Sequence, residues 1–190
     1  MKSKISNLAV WALGSLLLVM LDQYTKSFVT AHLKGQPPTV VINGVFEFLY
    51  SENRGAAFGM MQGRQGFFFL IGILVLAAAV YVMYRMPDWS SKRYHFLKVC
   101  VIMITAGAIG NMIDRISQGY VVDFLYFSLI DFPIFNVADI YVTTATGLLL
   151  VLLLFYYKDE ELEVFHLKKR TEKKLENTDS KSKTSKEEQH

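Results

Sequence analysis

Between Gly107 and Asp139 the chain reads GAIGNMIDRISQGYVVDFLYFSLIDFPIFNVAD. The stretch lies between two long apolar runs, yet it carries Asp114, Arg115, Asp123, Asp131 and Asp139, with Asn111 and Asn136. Polar and ionisable groups at the mouth of membrane helices are costly to keep and point to function by default. Asn111, Asp114 and Arg115 stand at i, i+3 and i+4, on one face of a helix near its outer end. Asp123 follows in a short apolar stretch, VVDFLYF, that leaves this helix, and Asp139 lies one turn after Asn136 at the start of the next. Two carboxylates from different elements, brought close at one membrane level, cannot both ionise easily. They share a proton, and the pair can serve as base and acid at once. Such a pair activates water against a carbonyl with neither metal nor nucleophilic side chain.

Plainer readings fit the same residues. Asp114 beside Arg115 suits a structural ion pair, although the two point in different directions and each needs other partners. Asp139 near a helix N-terminus complements the helix dipole, worth about 0.3–1 kcal/mol. Asp131, shortly before Pro133, reads as a turn residue. Composition and spacing therefore establish a polar membrane site and leave its reaction open. His32, His95, His166 and His190 are scattered outside the cluster, which argues against histidine-rich metal sites and against Ser–His or Cys–His catalysis. Cys100 is the lone cysteine, so no intrachain disulfide forms; it reads as a small buried residue in an apolar helix.

The elements that must position the cluster follow from hydropathy. The 190 residues are 52% hydrophobic with a net charge of +3, and the mean hydropathy is +0.28. The apolar residues fall into four blocks, each near the roughly 20 residues that cross a bilayer. The expected fold is mainly α and integral to a membrane, with helices at about 7–30, 66–85, 94–116 and 136–157. Residues 1–157 form the membrane domain, and 158–190 a charged tail that is disordered toward its end. Within the tail, residues 160–174 have the pattern of a surface helix. In the first helix Asp22 pairs with Lys26 at i,i+4, the lysine snorkelling to the interface, and Asp22 also suits a support for polar groups on neighbouring helices. Gly107 and Gly110 give the third helix a face for close packing.

Between the first two helices, about 36–62, lies different material. Pro37-Pro38 stops the helix, and β-branched and aromatic residues follow, broken by Asn43-Gly44, a two-residue hairpin signal. A small β-sheet/hairpin cradle is expected on the outer membrane surface, with Phe46, Phe48 and Tyr50 partly in the headgroup layer. Asn53 and Arg54 then precede three small residues, Gly55, Ala56 and Ala57. This spacing fits either a substrate-binding edge or a tight turn packed on helix ends. Lys2, Lys4, Arg85, Lys92, Arg93, Lys98 and Lys158 fall on one side of the four-helix arrangement; Lys26, Lys34, Arg54, Arg64 and Arg115 fall on the other. The denser loop and basic tail mark the first side as cytoplasmic, with both termini inside and the acidic cluster at the outer face.

Four motifs in this order, LDQYTK, ENRGAAFG, GNMIDRISQGYVVDF and FNVAD, resemble the bacterial lipoprotein signal peptidases (signal peptidase II). The resemblance runs from about residue 7 to 157. It implies an aspartic endopeptidase of the bacterial cytoplasmic (inner) membrane that removes the signal peptide from diacylglyceryl-modified prolipoproteins. By the same resemblance Asp123 and Asp139 are the catalytic pair and Asp22 supports the site. Asn53, Gly55, Asn111, Asp114, Arg115 and Asn136 then bind substrate or orient the pair. It also implies membrane lipids and globomycin-type inhibitors as partners, no cofactor, no metal and no nucleic acid, with one copy as the working unit. Gly59 stands where the family often has Ser, and the tail exceeds the family core. A proton-coupled carrier would call for broken helices at the midplane and internal duplication. A metal enzyme would call for a repeated acidic motif or histidine support.

Overall fold

A computed structural model of the chain describes residues 2–55, 65–162 and 165. Four helices are long and apolar enough to cross a membrane. Helix α1 spans Lys2–Leu33, α2 Gln65–Arg85, and α3 His95–Gln118; α4 spans Val137–Val151 and continues as a π-helical turn over Leu152–Tyr156. Helix α3 is the centre of the bundle and packs against the other three. Its glycines make this possible. A Cβ on Gly107 would sit 2.5 Å from the Ala138 carbonyl oxygen of α4, and one on Gly110 would sit 2.4 Å from Asp22 Oδ2 of α1. Cys100 is a buried free thiol within α3.

At 32 residues and about 1.5 Å per residue, α1 is about 48 Å long, well beyond a hydrocarbon core of about 30 Å. A sheet packs on its last turns. Strands β1 (Thr39–Ile42), β2 (Phe46–Asn53) and β3 (Val121–Tyr126) form one antiparallel sheet in the order β1-β2-β3. Val29 of α1 packs with Val122 and Phe124 of β3, and Leu33, Phe48 and Tyr50 close over them.

The sheet is the expected cradle, with its hairpin turn corrected. The VVDF stretch, given no element from the sequence, is its third strand, paired with β2 through Ser51↔Asp123, Glu52↔Val122 and Asn53↔Val121. The hairpin loop has three residues, because Ile42 pairs with Phe46 and the Val45 N–H closes a turn on the Ile42 carbonyl. Only Gly44 of the Asn-Gly pair adopts positive φ, so the two-residue turn that needs both does not form. Phe48 and Tyr50 are half-buried and pack against the cluster on α1 and β3.

Two of the regions singled out in the sequence, Ala56 to Gly59 and most of the tail, lie outside the described residues. The chain divides after Tyr156 into a second unit, of which only the start lies within the described residues. It contains the short helix α5, Asp159–Leu162. The helix expected over 160–174 otherwise falls outside the described residues.

Candidate active site

The site is built at the N-terminus of α4. The first four N–H groups of this helix lack a helical partner, and side-chain oxygens meet three of them. Asn136 is the N-cap: its side chain accepts from the Asp139 N–H at 3.0 Å, while Asp139 Oδ2 accepts from the Asn136 N–H at 3.1 Å. This reciprocal capping box fixes the Asp139 rotamer. The Ala138 N–H donates to Asp22 Oδ1 at 3.0 Å, tying α4 to α1. The strand side is set by the loop after β3. The Phe124 and Leu125 N–H groups donate to the Phe135 carbonyl, so the residue before Asn136 is stitched to β3.

One buried residue joins the two acids through its side chain and its backbone. Asn136 Nδ2 donates to Asp123 Oδ1 at 2.6 Å, and the Asn136 N–H donates to Asp139 Oδ2. Asn53 Nδ2 of β2 donates to the other Asp123 oxygen at 2.9 Å, and Asn111 Nδ2 donates to Asp139 Oδ1 at 2.8 Å. Asp123 is 2% exposed. Burial, and then the charge of Asp139, push its carboxyl up to about 7, against the opposing pull of the Asn53 and Asn136 hydrogen bonds and of Lys26.

Asp123 and Asp139 line one cleft of about 390 Å³, together with Asn53, Gly55, Asn111 and Arg115. Phe132 to Phe135 close one side of it, and Phe68 and Thr143 the other. A second cleft of about 270 Å³ runs on from Asn111, Arg115 and Asp139 along the apolar faces of α2, α3 and α4, past Ile71, Val75 and Ile104. Arg115 donates to the Gly55 and Asn111 carbonyls, and its guanidinium lies 4.6 Å from the centre of the Phe68 ring.

Asp22 and Asp114 do not line this cleft. They stand behind it, buried, on either side of the Lys26 ammonium, at 2.9 and 3.1 Å. Asp114 also accepts from the Val122 N–H at the start of β3 and from Gln23. Arg115 shares none of these partners, so the neighbouring acid and base are separately engaged. Lys26 corrects the snorkelling expectation: it is 3% exposed and turned inward, because two buried carboxylates hold it there. Asp131 is a turn residue at φ 46°, accepting from the Tyr126 hydroxyl away from the cleft.

Sequence reasoning missed Lys26 and Gln23 in the buried network, and Phe68 and Thr143 in the cleft wall. The i,i+4 spacing of Thr143 from Asp139 was a usable signal. For Phe68, within an uninterrupted apolar run, there was none.

Comparison with known proteins follows the same residues. The family described as Signal peptidase (SPase) II matches residues 15–155. A protein named lipoprotein signal peptidase from Streptococcus thermophilus is 39% identical over 145 residues, 76% of this chain and 90% of its own. One of the same name from Clostridioides difficile is 38% identical over 142 residues, 74% of this chain and 92% of its own. A solved bacterial membrane enzyme, determined by the in meso method at 2.3 Å resolution, superposes with a TM-score of 0.68 at 33% identity, over 80% of this chain and 93% of that one.

Proposed function

Because this chain belongs to the signal peptidase II family, whose work is the cleavage of lipoprotein signal peptides, we propose that Asp123 and Asp139 jointly activate the hydrolytic water. The observation that carries this reading is Asn136, which hydrogen-bonds both carboxylates at the floor of one cleft. Asp139 accepts two N–H bonds at the N-terminal end of α4. It is the base. Asp123, buried and pushed up to about 7, keeps its proton near neutral pH and is the acid.

Water bound between them loses a proton to Asp139 as its oxygen attacks the scissile carbonyl carbon. The Asp123 proton passes to the carbonyl oxygen, giving a gem-diol. Asp139 then delivers its proton to the amide nitrogen as the C–N bond breaks. A proton returns from the gem-diol to Asp123, leaving both acids as they began. The substrate class is the diacylglyceryl-modified prolipoprotein. The apolar cleft along α2 and α4 suits the signal helix and acyl chains, and opens directly onto Asp139. Globomycin-type cyclic peptides would occupy the same cleft.

The chain is a multi-pass membrane protein. Its setting in this proposal is the bacterial cytoplasmic membrane, with termini inside and the site at the outer face, working as a single copy. The test uses purified protein in detergent, with a lipid-modified and an unmodified prolipoprotein peptide. Asp123→Asn and Asp139→Asn are expected to abolish cleavage in folded protein, and only the lipidated peptide to be cut efficiently. Cleavage by wild type is expected to persist in EDTA. Near-normal turnover in either variant would remove that residue from the pair, and loss of activity in EDTA would favour a metal.

A further inference from the structure

The buried ammonium of Lys26 is the cation of the polar layer behind the cleft, and the acid–base chemistry above does not use it. An ammonium has three donors and no acceptor. Here all three donors find oxygen: Asp22 Oδ2 at 2.9 Å, Asp114 Oδ2 at 3.1 Å and Asn111 Oδ1 at 3.0 Å. The two carboxylates alone would balance its charge. The third bond reaches across α3 to an amide that faces the cleft.

That amide has two orientations related by a half-turn, and its surroundings permit one. Asn111 Oδ1 accepts from Lys26 Nζ and, at 3.2 Å, from Asn136 Nδ2. Turned over, the Asn111 NH₂ would face two donors, and its oxygen would face the Asp139 carboxylate. With Lys26 in place, Asn111 Nδ2 must point at Asp139 Oδ1. Asn136 is bound into the same arrangement: one amide hydrogen goes to Asn111 Oδ1 and the other to Asp123 Oδ1. The Asn136 amide is held independently, because its oxygen caps the Asp139 N–H; the orientation of the Asn111 amide, and so of the donor on Asp139, is set by the ammonium together with Asn136 Nδ2.

We propose that Lys26 is a positioning residue for hydrolysis: its ammonium locks the Asn111 side chain so that an N–H is delivered to Asp139. This rests on the reading of Asp123 and Asp139 as the reacting pair. Lys26 does not touch substrate. It lines a separate polar cleft of about 410 Å³ on the far side of α3, with Ser27, Thr30 and Ser117. The charged groups that bear on the pair are Asp22 and Lys26 on α1, Asp114 and Arg115 on α3, Asp139 on α4 and Asp123 on β3. Among them Lys26 draws the Asp123 carboxyl downward, as a nearby cation should.

The test compares Lys26→Met/Asp114→Asn with Asp114→Asn alone. Removing a cation and an anion together limits the buried charge left unpaired, and the parent keeps the Lys26–Asn111 bond. With lipidated peptide in detergent, kcat of the folded double variant is expected to fall on the order of 10- to 100-fold below its parent, with KM little changed. The alkaline limb of the pH profile is expected to move to higher pH, because Asp123 keeps its proton longer without the cation. A kcat within about twofold of the parent would overturn the proposal. So would a lower kcat with an unmoved limb, since that is what a merely structural role gives. If the double variant does not fold, NMR of wild-type protein with labelled lysine and asparagine decides. Exchange-protected Lys26 ammonium protons correlated with the Asn111 amide support the assignment; a freely exchanging ammonium refutes it. Asp139→Asn runs alongside: an active Asp139→Asn overturns the paired-acid reading and with it this one. A dead Asp139→Asn beside a fully active double variant removes only the role of Lys26.

Discussion

Gly110→Ala tests whether the support behind the cleft governs chemistry rather than folding. A Cβ at this position would lie 2.4 Å from Asp22 Oδ2 and 3.1 Å from Asp22 Cγ, where ordinary contact begins at 3.4 Å. The carboxylate must therefore retreat by about 1 Å. It is not free to do so cheaply. Lys26 and Gln23 hold Oδ2 at 2.9 and 3.2 Å, and the Ala138 N–H holds Oδ1 at 3.0 Å. Losing one of these bonds to a charged group costs about 1.5–3 kcal/mol. Alanine in a helix recovers about 1 kcal/mol relative to glycine. The net loss of stability is thus expected to be only about 1–2 kcal/mol. Activity should suffer more. Asp22 anchors the second residue of α4, and Asp139 is the third, so displacing the anchor moves the acid; a misplacement of about 1 Å costs on the order of 100-fold in rate. The assay is kcat on a lipidated peptide, with thermal unfolding measured on the same preparation. In an Asp22→Ala background the clash is gone, and Gly110→Ala should become stabilising. Wild-type kcat in the single variant, or equal destabilisation in both backgrounds, would refute the reasoning.

Asn136→Ala should cost about 0.5–2 kcal/mol as a lost N-cap and abolish turnover. Asn136→Ser should restore most of the thermal stability but not kcat, because a hydroxyl caps the helix without supplying the amide bridge to Asp123. The Asp123 carboxyl, followed by carbon-13 NMR, should titrate near about 7. Because its protonated form is the acid, activity should fall as pH rises through that midpoint, and Asp139→Asn should lower the midpoint by removing the neighbouring negative charge. An ordinary carboxylate midpoint in wild type would contradict the burial argument. Asp131→Asn should leave kcat and stability near wild type, since asparagine tolerates the positive φ and the residue meets only the Tyr126 hydroxyl; a dead variant would mean that the wrong acids are paired.

The helices were legible because lipid imposes a one-dimensional rule: about 20 apolar residues cross, and charge does not. The acids of the Gly107–Asp139 stretch were legible for the converse reason, since carboxylates among apolar runs stand out. Asp139 was legible at the opening of α4, where it complements the helix dipole, but its capping box with Asn136 was not read. Periodicity could not say which acids face one another. VVDFLY became a strand by pairing with β2, whose residues lie 68 to 79 positions earlier in the chain, and this pairing sets Asp123 beside Asn53. Lys26 was read as an interfacial cation because its one sequence-local partner is Asp22; Asp114 and Asn111, which turn it inward, arrive only when α3 packs on α1. Thus the sequence alone determined a membrane bundle with acids at one end. The close approach allowed by Gly107 and Gly110 decided which of those acids share a cleft and which share a buried cation, because hydrogen bonds reach only about 3 Å and no spacing along a chain encodes a distance between chain segments.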